Sequence, residues 1–321
     1  MRCCKLLFLN TVATLSFGSA SAYAAPIMFQ EIVSARGPAL WYKFNELPGS
    51  TTVINYGSLG DSFNGRFPNG ITLGAPTMGG DTGFRFSIGA QQYVESITAA
   101  PANFTGNPSF TAETIVFVEA NAGGAGYPPF LHWGAPATGQ SVYFSLHRFR
   151  TDRMFAGFYN GGLRTTCSLF STSAWHHIVW TRQGGGTQYQ GTRLFIDGEE
   201  VPLEPDTDLA GAPVINTTST TFRISRATNL IRYFTGTVDE IVLYPRVLDP
   251  GEILEHYTAL GALAPIPCQA DFNYDCGIDL FDYLDFVDAF STNAPEADFN
   301  QDDVIDFFDY LDFVAVFSQG C

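Results

Sequence analysis

The sequence predicts an all-β body, a two-sheet jelly roll, followed by a small α-helical module at its C-terminal end. Three observations predict this. Short runs of Val, Ile, Phe, Tyr and Thr alternate with turns drawn from 32 glycines and 18 prolines, a pattern that favours strands over helices. Aromatic residues are 15% of the chain, enough apolar material for one large core. The segment from Cys268 to Cys321 then holds 13 of the 32 acidic residues and no Lys or Arg, a break in composition that marks a second unit.

Residues 1–24 have the form of a secretory signal. Arg2 and Lys5 precede an apolar stretch from Leu6 to Phe17, and small residues lead to Ala22-Tyr23-Ala24, with cleavage expected after Ala24. The stretch is shorter than the ~20 residues of a membrane span, and no later segment is long and apolar enough to be one. Export places Cys167, Cys268, Cys276 and Cys321 in an oxidising compartment. Sequence alone leaves three pairings open; Cys268 and Cys321 bracket the tail, so a clasp between them is the pairing favoured.

The body spans residues 25–261. Ala39–Phe44, Thr114–Val118, Val142–Leu146, His177–Thr181, Arg193–Ile196 and Glu240–Tyr244 read as strands. Gly184-Gly-Gly186 and the hairpin signal Asp197-Gly198 punctuate them. The net charge of −16 belongs mainly to the tail, since Ala25–Pro267 holds 19 acidic and 14 basic residues; nucleic acid is thereby excluded as a partner. Gly57-Ser-Leu-Gly60 is no nucleophile elbow, and no phosphate-cradling loop occurs. Asp239 and Glu240 are adjacent and are expected on opposite faces of a strand. For the same reason His176 and His177 cannot chelate one metal, and they read as strand positions beside the core. Tyr127, Tyr159, Tyr189 and Tyr233 lie in loop-like stretches; they are either sugar-stacking platforms or ordinary surface aromatics.

The order of motifs resembles the laminin-G-like, concanavalin A-like family. Leu40-Trp-Tyr-Lys-Phe-Asn-Glu46 is similar to its opening strand and Phe110-Thr-Ala-Glu-Thr-Ile115 to its Phe-Thr strand. Trp175-His-His-Ile-Val-Trp-Thr181, Leu194-Phe-Ile-Asp-Gly198 and Gly236-Thr-Val-Asp-Glu-Ile-Val-Leu-Tyr244 follow, and a helix from Pro250 to Tyr257 completes the pattern. The resemblance implies a jelly roll that binds glycans or proteins. Glycosidases of this fold carry Glu-x-Asp-x-x-Glu on a strand, and no such run occurs here, so a non-catalytic body is expected. It further implies a structural calcium with Glu46, Asp61 and Asp239 as candidate ligands, although Asp61 is equally a turn former.

Residues 262–267 form a linker, and the module 268–321 is an internal duplication. Asp271–Asp282 repeats as Asp298–Asp309 at a spacing of 27 residues, with 15 of 21 aligned positions identical. Oxygen side chains fall at positions 1, 3, 5, 9 and 12 of each loop: Asp271, Asn273, Asp275, Asp279 and Asp282, then Asp298, Asn300, Asp302, Asp306 and Asp309. That spacing wraps a hard cation such as calcium, with the carbonyls of Gly277 and Val304 adding a ligand at position 7. Ile278 and Ile305 are expected to face each other. A helix is predicted over Phe281–Ser291, with Leu284, Val287, Leu311 and Val314 as core. Leu280, Phe281, Phe307 and Phe308 are either docking face or core.

Paired loops with Asp at position 12, each running into one helix and ending in Gly320-Cys321, resemble a dockerin of the type that ends in Gly-Cys. The resemblance implies calcium-dependent attachment to a cohesin-like or other surface protein. Cys276 and Asp303 stand where such loops have glycine, which weakens the first loop most. The whole reads as a secreted, extracellular or envelope-associated binding or structural protein. The competing expectation is a glycoside hydrolase of the same fold carrying a dockerin.

Overall fold

Period-two alternation closes two antiparallel sheets over one core. The computed structural model describes residues 24–319 except 68–69, 79–80, 121, 123–125, 151, 167–171, 187–189, 208, 210, 212, 228–231, 262–269, 274–277 and 301–303. Among the described residues, the first sheet runs in spatial order Glu199–Val201, Thr192–Ile196, Trp175–Arg182, Phe110–Val118, Gly236–Tyr244, Thr82–Phe86 and Thr72–Pro76, and Leu40–Tyr42 also pairs with Gly236–Tyr244. The second runs Leu203–Pro205, Gly161–Thr165, Met154–Phe158, Ser141–Leu146, Pro129–Gly134, Thr221–Ile224, Val94–Ala99, Gly65–Arg66 and Thr52–Val53. Each strand read from the sequence is present. Asp197 and Gly198 take φ of 54° and 88°, the left-handed pair that turns a two-residue hairpin. Phe110, Trp133, Phe144, Trp180 and Phe222 interlock between the sheets, with Phe110 and Trp180 edge to face at 4.9 Å.

The outer face of the first sheet is covered by two helices, α1 (Ala24–Ala35) and α2 (Pro250–Ala259). An all-β body does not anticipate α1, yet Phe29, Ile32 and Val33 have helical spacing and pack on Trp41, Val179, Phe195 and Val242. Local chemistry starts α2: Asp249 caps the Glu252 amide, the Glu252 carboxylate returns to the Asp249 amide, and Pro250 occupies the first turn.

Covering this face buries its polar residues. Glu113, on Phe110–Val118, is fully buried with His177 and His256. His177 Nε2 lies 2.7 Å from Glu113 Oε1, and His256 Nδ1 of α2 lies 2.9 and 3.1 Å from its two oxygens. Burial by itself would raise the Glu113 carboxyl, but the two imidazoles outweigh it and hold the group down to about 2. Burial likewise disfavours charged His256, but Glu113 outweighs it and the imidazole titrates above its ordinary value. This is the use His177 finds beside the core; His176 instead contacts Asp197 at 2.7 Å.

The expectation that Asp239 and Glu240 face opposite ways is corrected by a β-bulge. Asp239 pairs with Ile115 and Val242 with Glu113, so one strand advances three residues while its partner advances two. Glu240 is the extra residue, at φ 51°. Val238 and Ile241 both enter the inter-sheet core, leaving both carboxylates on the helix-covered side.

In the tail, α3 (Leu280–Ser291) and α4 (Phe307–Gln319) follow the two loops. The repeat mates Phe286 and Phe313 stack at 4.0 Å and 6°, and the mates Tyr283 and Tyr310 meet at 3.0 Å through their hydroxyls. The core reading of Leu284 and Leu311 is corrected: both are exposed, at 48% and 44%, because the aromatic stack fills the interior. Val287 and Val314 pack against that stack, as does Ile305, whereas Ile278 is exposed.

Glu113→Gln is expected to destabilise the body by about 3–5 kcal/mol, the cost of breaking a buried ion pair, measured by urea unfolding. A lowered carboxyl stabilises above its ordinary value of 4.5 and loses the effect as pH falls through about 2. A raised imidazole stabilises below its ordinary 6.5 and loses the effect as pH rises through its folded value. The gap between wild type and variant is therefore widest at pH 4.5–6.5.

Candidate functional site

The outer face of the second sheet is covered by loops, and the cover is incomplete. In Ser141–Leu146 the residues Val142, Phe144 and Leu146 enter the inter-sheet core, so Tyr143 and Ser145 point the other way. Tyr143 packs there with Tyr127, Phe155 and Ala227, and half-buried Tyr159 and Leu209 flank them. Between these groups lies a cavity of about 280 Å³, whose wall is completed by Arg148, Phe158, Asn160 and Arg232. Among the described residues no Asp or Glu lines it.

A pair of glycines makes room for the cavity floor. Gly157 and Gly162 are cross-strand partners, and the Phe155 ring lies over both. A Cβ on Gly157 would sit 2.5 Å from Phe155 Cζ, and one on Gly162 would be closer still. Phe155 in turn packs against Tyr127, the rings tilted by 38° with centroids 4.2 Å apart. The Tyr127 hydroxyl donates to Asp206 Oδ2 at 2.6 Å, and His147 stands 3.4 Å from the same oxygen, so a buried carboxylate behind the cavity holds the ring. At the rim, Asn160 takes φ 64° and donates to Thr138 at 2.9 Å. That tight turn sets the neighbouring Tyr159 at the mouth.

Arg232 is, with Arg148, one of two cations of this wall among the described residues. Its guanidinium lies 5.7 Å from the ring centres of both Tyr127 and Tyr143. Beneath it, burial first and then the charges of Arg223 and Arg232 depress His132 to about 3, so that imidazole is neutral at physiological pH. The arrangement offers aromatic faces and amide and guanidinium donors.

The loop aromatics resolve differently. Tyr127 and Tyr159 line the cavity; Tyr233 is 6% exposed and packs elsewhere, and Tyr189 lies outside the described residues. Tyr143, Arg148, Phe155 and Arg232 were missed. For Tyr143 the signal was available in the alternation of Val-Tyr-Phe-Ser-Leu. For Arg232 no local signal exists.

The body's candidate calcium ligands are not brought together. Asp239 contacts Thr77 and the Glu240 amide and faces Asp81. Glu46 instead accepts from the Ile54 amide at 2.9 Å, and Asp61 opens an exposed turn. Gln30 of α1 donates to Asp81 at 2.8 Å and to Glu240 at 3.3 Å, and the Trp41 indole donates to Glu240. Burial, reinforced by Asp81, pushes Glu240 up to about 8, against the opposing Trp41 donor. Among the described residues no group of three His, Cys, Asp or Glu side chains is arranged to hold a metal.

In the tail, position 12 closes each loop. Asp282 accepts from the Asn273 and Asp279 amides at 3.2 and 2.8 Å. Asp309 accepts from Phe299, Asn300 and Asp306 at 2.8, 3.1 and 2.7 Å. Asp279 and Asp306, at position 9, accept from the Phe281 and Phe308 amides at 2.8 Å and so cap α3 and α4. Asp271, Asn273, Asp298, Asn300 and Val304 flank these closures. Asp275, Gly277, Asp302, Cys268 and Cys321 lie outside the described residues, as do Cys167 and Cys276. Leu280, Phe281, Phe307 and Phe308 are each 64% exposed.

Residues 89–254 match the model of the concanavalin A-like lectin/glucanases superfamily. No curated protein matches. Similar solved structures include domain 4 of AbnA, an extracellular arabinanase from Geobacillus stearothermophilus, in complex with arabinotriose, at 12% identity over 69% of this chain and 98% of that one, with a TM-score of 0.47. Trypanosoma rangeli sialidase with the inhibitor DANA follows at 15% identity over 73% and 37%, with a TM-score of 0.45. The binding domain of botulinum neurotoxin serotype D is similar at 12% identity over 72% and 52%, with a TM-score of 0.48.

Gly162→Ala is expected to force the Phe155 ring into the cavity at a cost of about 1–3 kcal/mol, the usual range for overpacking. Thermal unfolding measures the cost.

Proposed function

The chain belongs to the superfamily of concanavalin A-like lectins and glucanases, and we propose on that premise that it is a secreted, non-catalytic glycan-binding protein with a calcium-dependent tail. The aromatic cavity carries this reading. Sugar rings present an apolar face to aromatic side chains and hydroxyls to polar ones, and Tyr159 at the rim with Asn160 and the arginines beside it supplies both. Ligand pockets for drug-sized molecules span roughly 300–1,000 Å³; at about 280 Å³ the cavity suits one sugar residue of a longer chain.

Hydrolysis is the weaker reading. Most glycosidases need two carboxyl groups flanking the bond, about 5–9.5 Å apart, and the cavity lining contains none among its described residues. The similar solved structures include both a glycan-bound domain and a sialidase, so they do not decide between the two.

The tail's donor set supports calcium. It is all oxygen, and Asp282 and Asp309 already draw the two ends of each loop together through backbone amides. Asp271, Asn273, Asp275, Asp279 and Asp282 would hold one ion, with the Gly277 carbonyl. Asp298, Asn300, Asp302, Asp306 and Asp309 would hold the other, with that of Val304. Bound calcium would offset the repulsion among 13 carboxylates. Exposed Leu280, Phe281, Phe307 and Phe308 at the helix starts support docking to a cohesin-like or other surface protein. Among the described residues no helix is long and apolar enough to cross a membrane.

Two measurements test the proposal. On a polysaccharide panel the protein is expected to be retained without new reducing ends, with Tyr159→Ala weakening retention about tenfold, a stacking contact worth ~1.4 kcal/mol; released sugar would replace the lectin reading by the hydrolase. Calcium added at millimolar concentration to the full chain should raise helical circular dichroism, and Asp282→Asn with Asp309→Asn should remove the response. An unchanged spectrum in wild type would sink the calcium assignment.

A further inference from the structure

The charge of the cavity narrows its ligand further, on the footing that the cavity binds a glycan. On this face Arg153 and Arg164 reach Glu204 at 3.5 and 2.8 Å, and Arg223 reaches Glu95 at 3.0 Å. Arg232 has no carboxylate partner among the described residues, and its Nε is buried without a hydrogen bond. Its path is built into the fold: the side chain passes over Gly126, which has φ 100°, and a Cβ there would collide with Arg232 Nε, Cδ and Cγ. The guanidinium is thereby held between two tyrosine rings at 5.7 Å. Asp206, a buried carboxylate behind the wall, is engaged by Tyr127 and His147.

Arg232 is half-buried beside the Tyr143 hydroxyl and has no carboxylate partner among the described residues, and a partly desolvated cation gains most from an anionic partner. Here it sits in a body that carries more acidic than basic residues overall, so the local sign is opposite to the global one. A planar guanidinium in a fixed orientation matches an oxyanion through paired N–H donors. We infer that the cavity takes an acidic sugar, whose carboxylate or sulfate supplies the counter-ion of Arg232 while its ring lies against the tyrosines.

The test is calorimetric titration of the full chain with oligosaccharides in three forms: uronate-containing, the same oligosaccharides with the carboxyl reduced to an alcohol, and sulfated. A charge-assisted hydrogen bond corresponds to a preference of at least about tenfold for an acidic form over the neutral one. Arg232→Gln should erase that preference, Arg232→Lys should retain part of it, and Tyr159→Ala should weaken all binding alike. Whether uronate or sulfate binds tighter identifies which oxyanion is held. Equal affinity for neutral and acidic forms, lost in Tyr159→Ala, overturns the inference and leaves glycan binding standing. Absence of binding to every form overturns both.

Discussion

The central strands of the first sheet are covered on both faces, and that constraint governs the molecule. A sheet with one wet face can place polar residues outward at no cost. Here Phe110–Val118 and Gly236–Tyr244 are buried along almost their whole length, so each outward polar side chain must find a partner inside the protein. Glu113 finds two imidazoles, one of them on α2. Trp41 and Gln30 serve Glu240, and Gln30 belongs to α1. The helices are thus fastened to the first sheet at its polar positions as well as by Phe29, Val33 and Ile253.

The bulge at Glu240 belongs to the same economy of space. One extra residue in the central strand lets it pair with Thr82–Phe86 along one half and with Leu40–Tyr42 along the other. It also sends two acidic side chains to the same face, where α1 and Asp81 meet them. Without the bulge one of the carboxylates would point into the inter-sheet core among Val238, Ile241 and Leu243. On the second sheet the cover is made by loops, which leave the gap between Tyr127, Tyr159 and Arg232. The aromatic floor is rigid because two facing glycines admit the Phe155 ring and a buried aspartate holds Tyr127.

The tail follows a different rule. With so few residues it relies on duplication, and the two halves supply one phenylalanine each to a single stack. Four of the aspartates that have cation-ligand spacing, Asp279, Asp282, Asp306 and Asp309, also cap α3 and α4 and close the loops. One set of side chains thereby meets two local requirements, and the apolar residues at the helix starts are displaced to the surface.

The sequence by itself determined the strand identities, the hairpin turn at Asp197-Gly198 and the repeated loop motif. Each of these is written in local terms: alternation, turn residues, or a duplicated motif. Tyr127 and Tyr159 were legible as loop aromatics, but not as neighbours across one cavity. Only the tertiary structure decided that Glu113, His177 and His256 meet, that Asp239 and Glu240 share a face, that Phe286 and Phe313 displace the leucines from the tail core, and that Arg232 stands in an aromatic wall. These depend on pairing register and on which loop crosses which strand. Such contacts join residues as far apart as Glu113 and His256, 143 positions along the chain, and no local pattern encodes them.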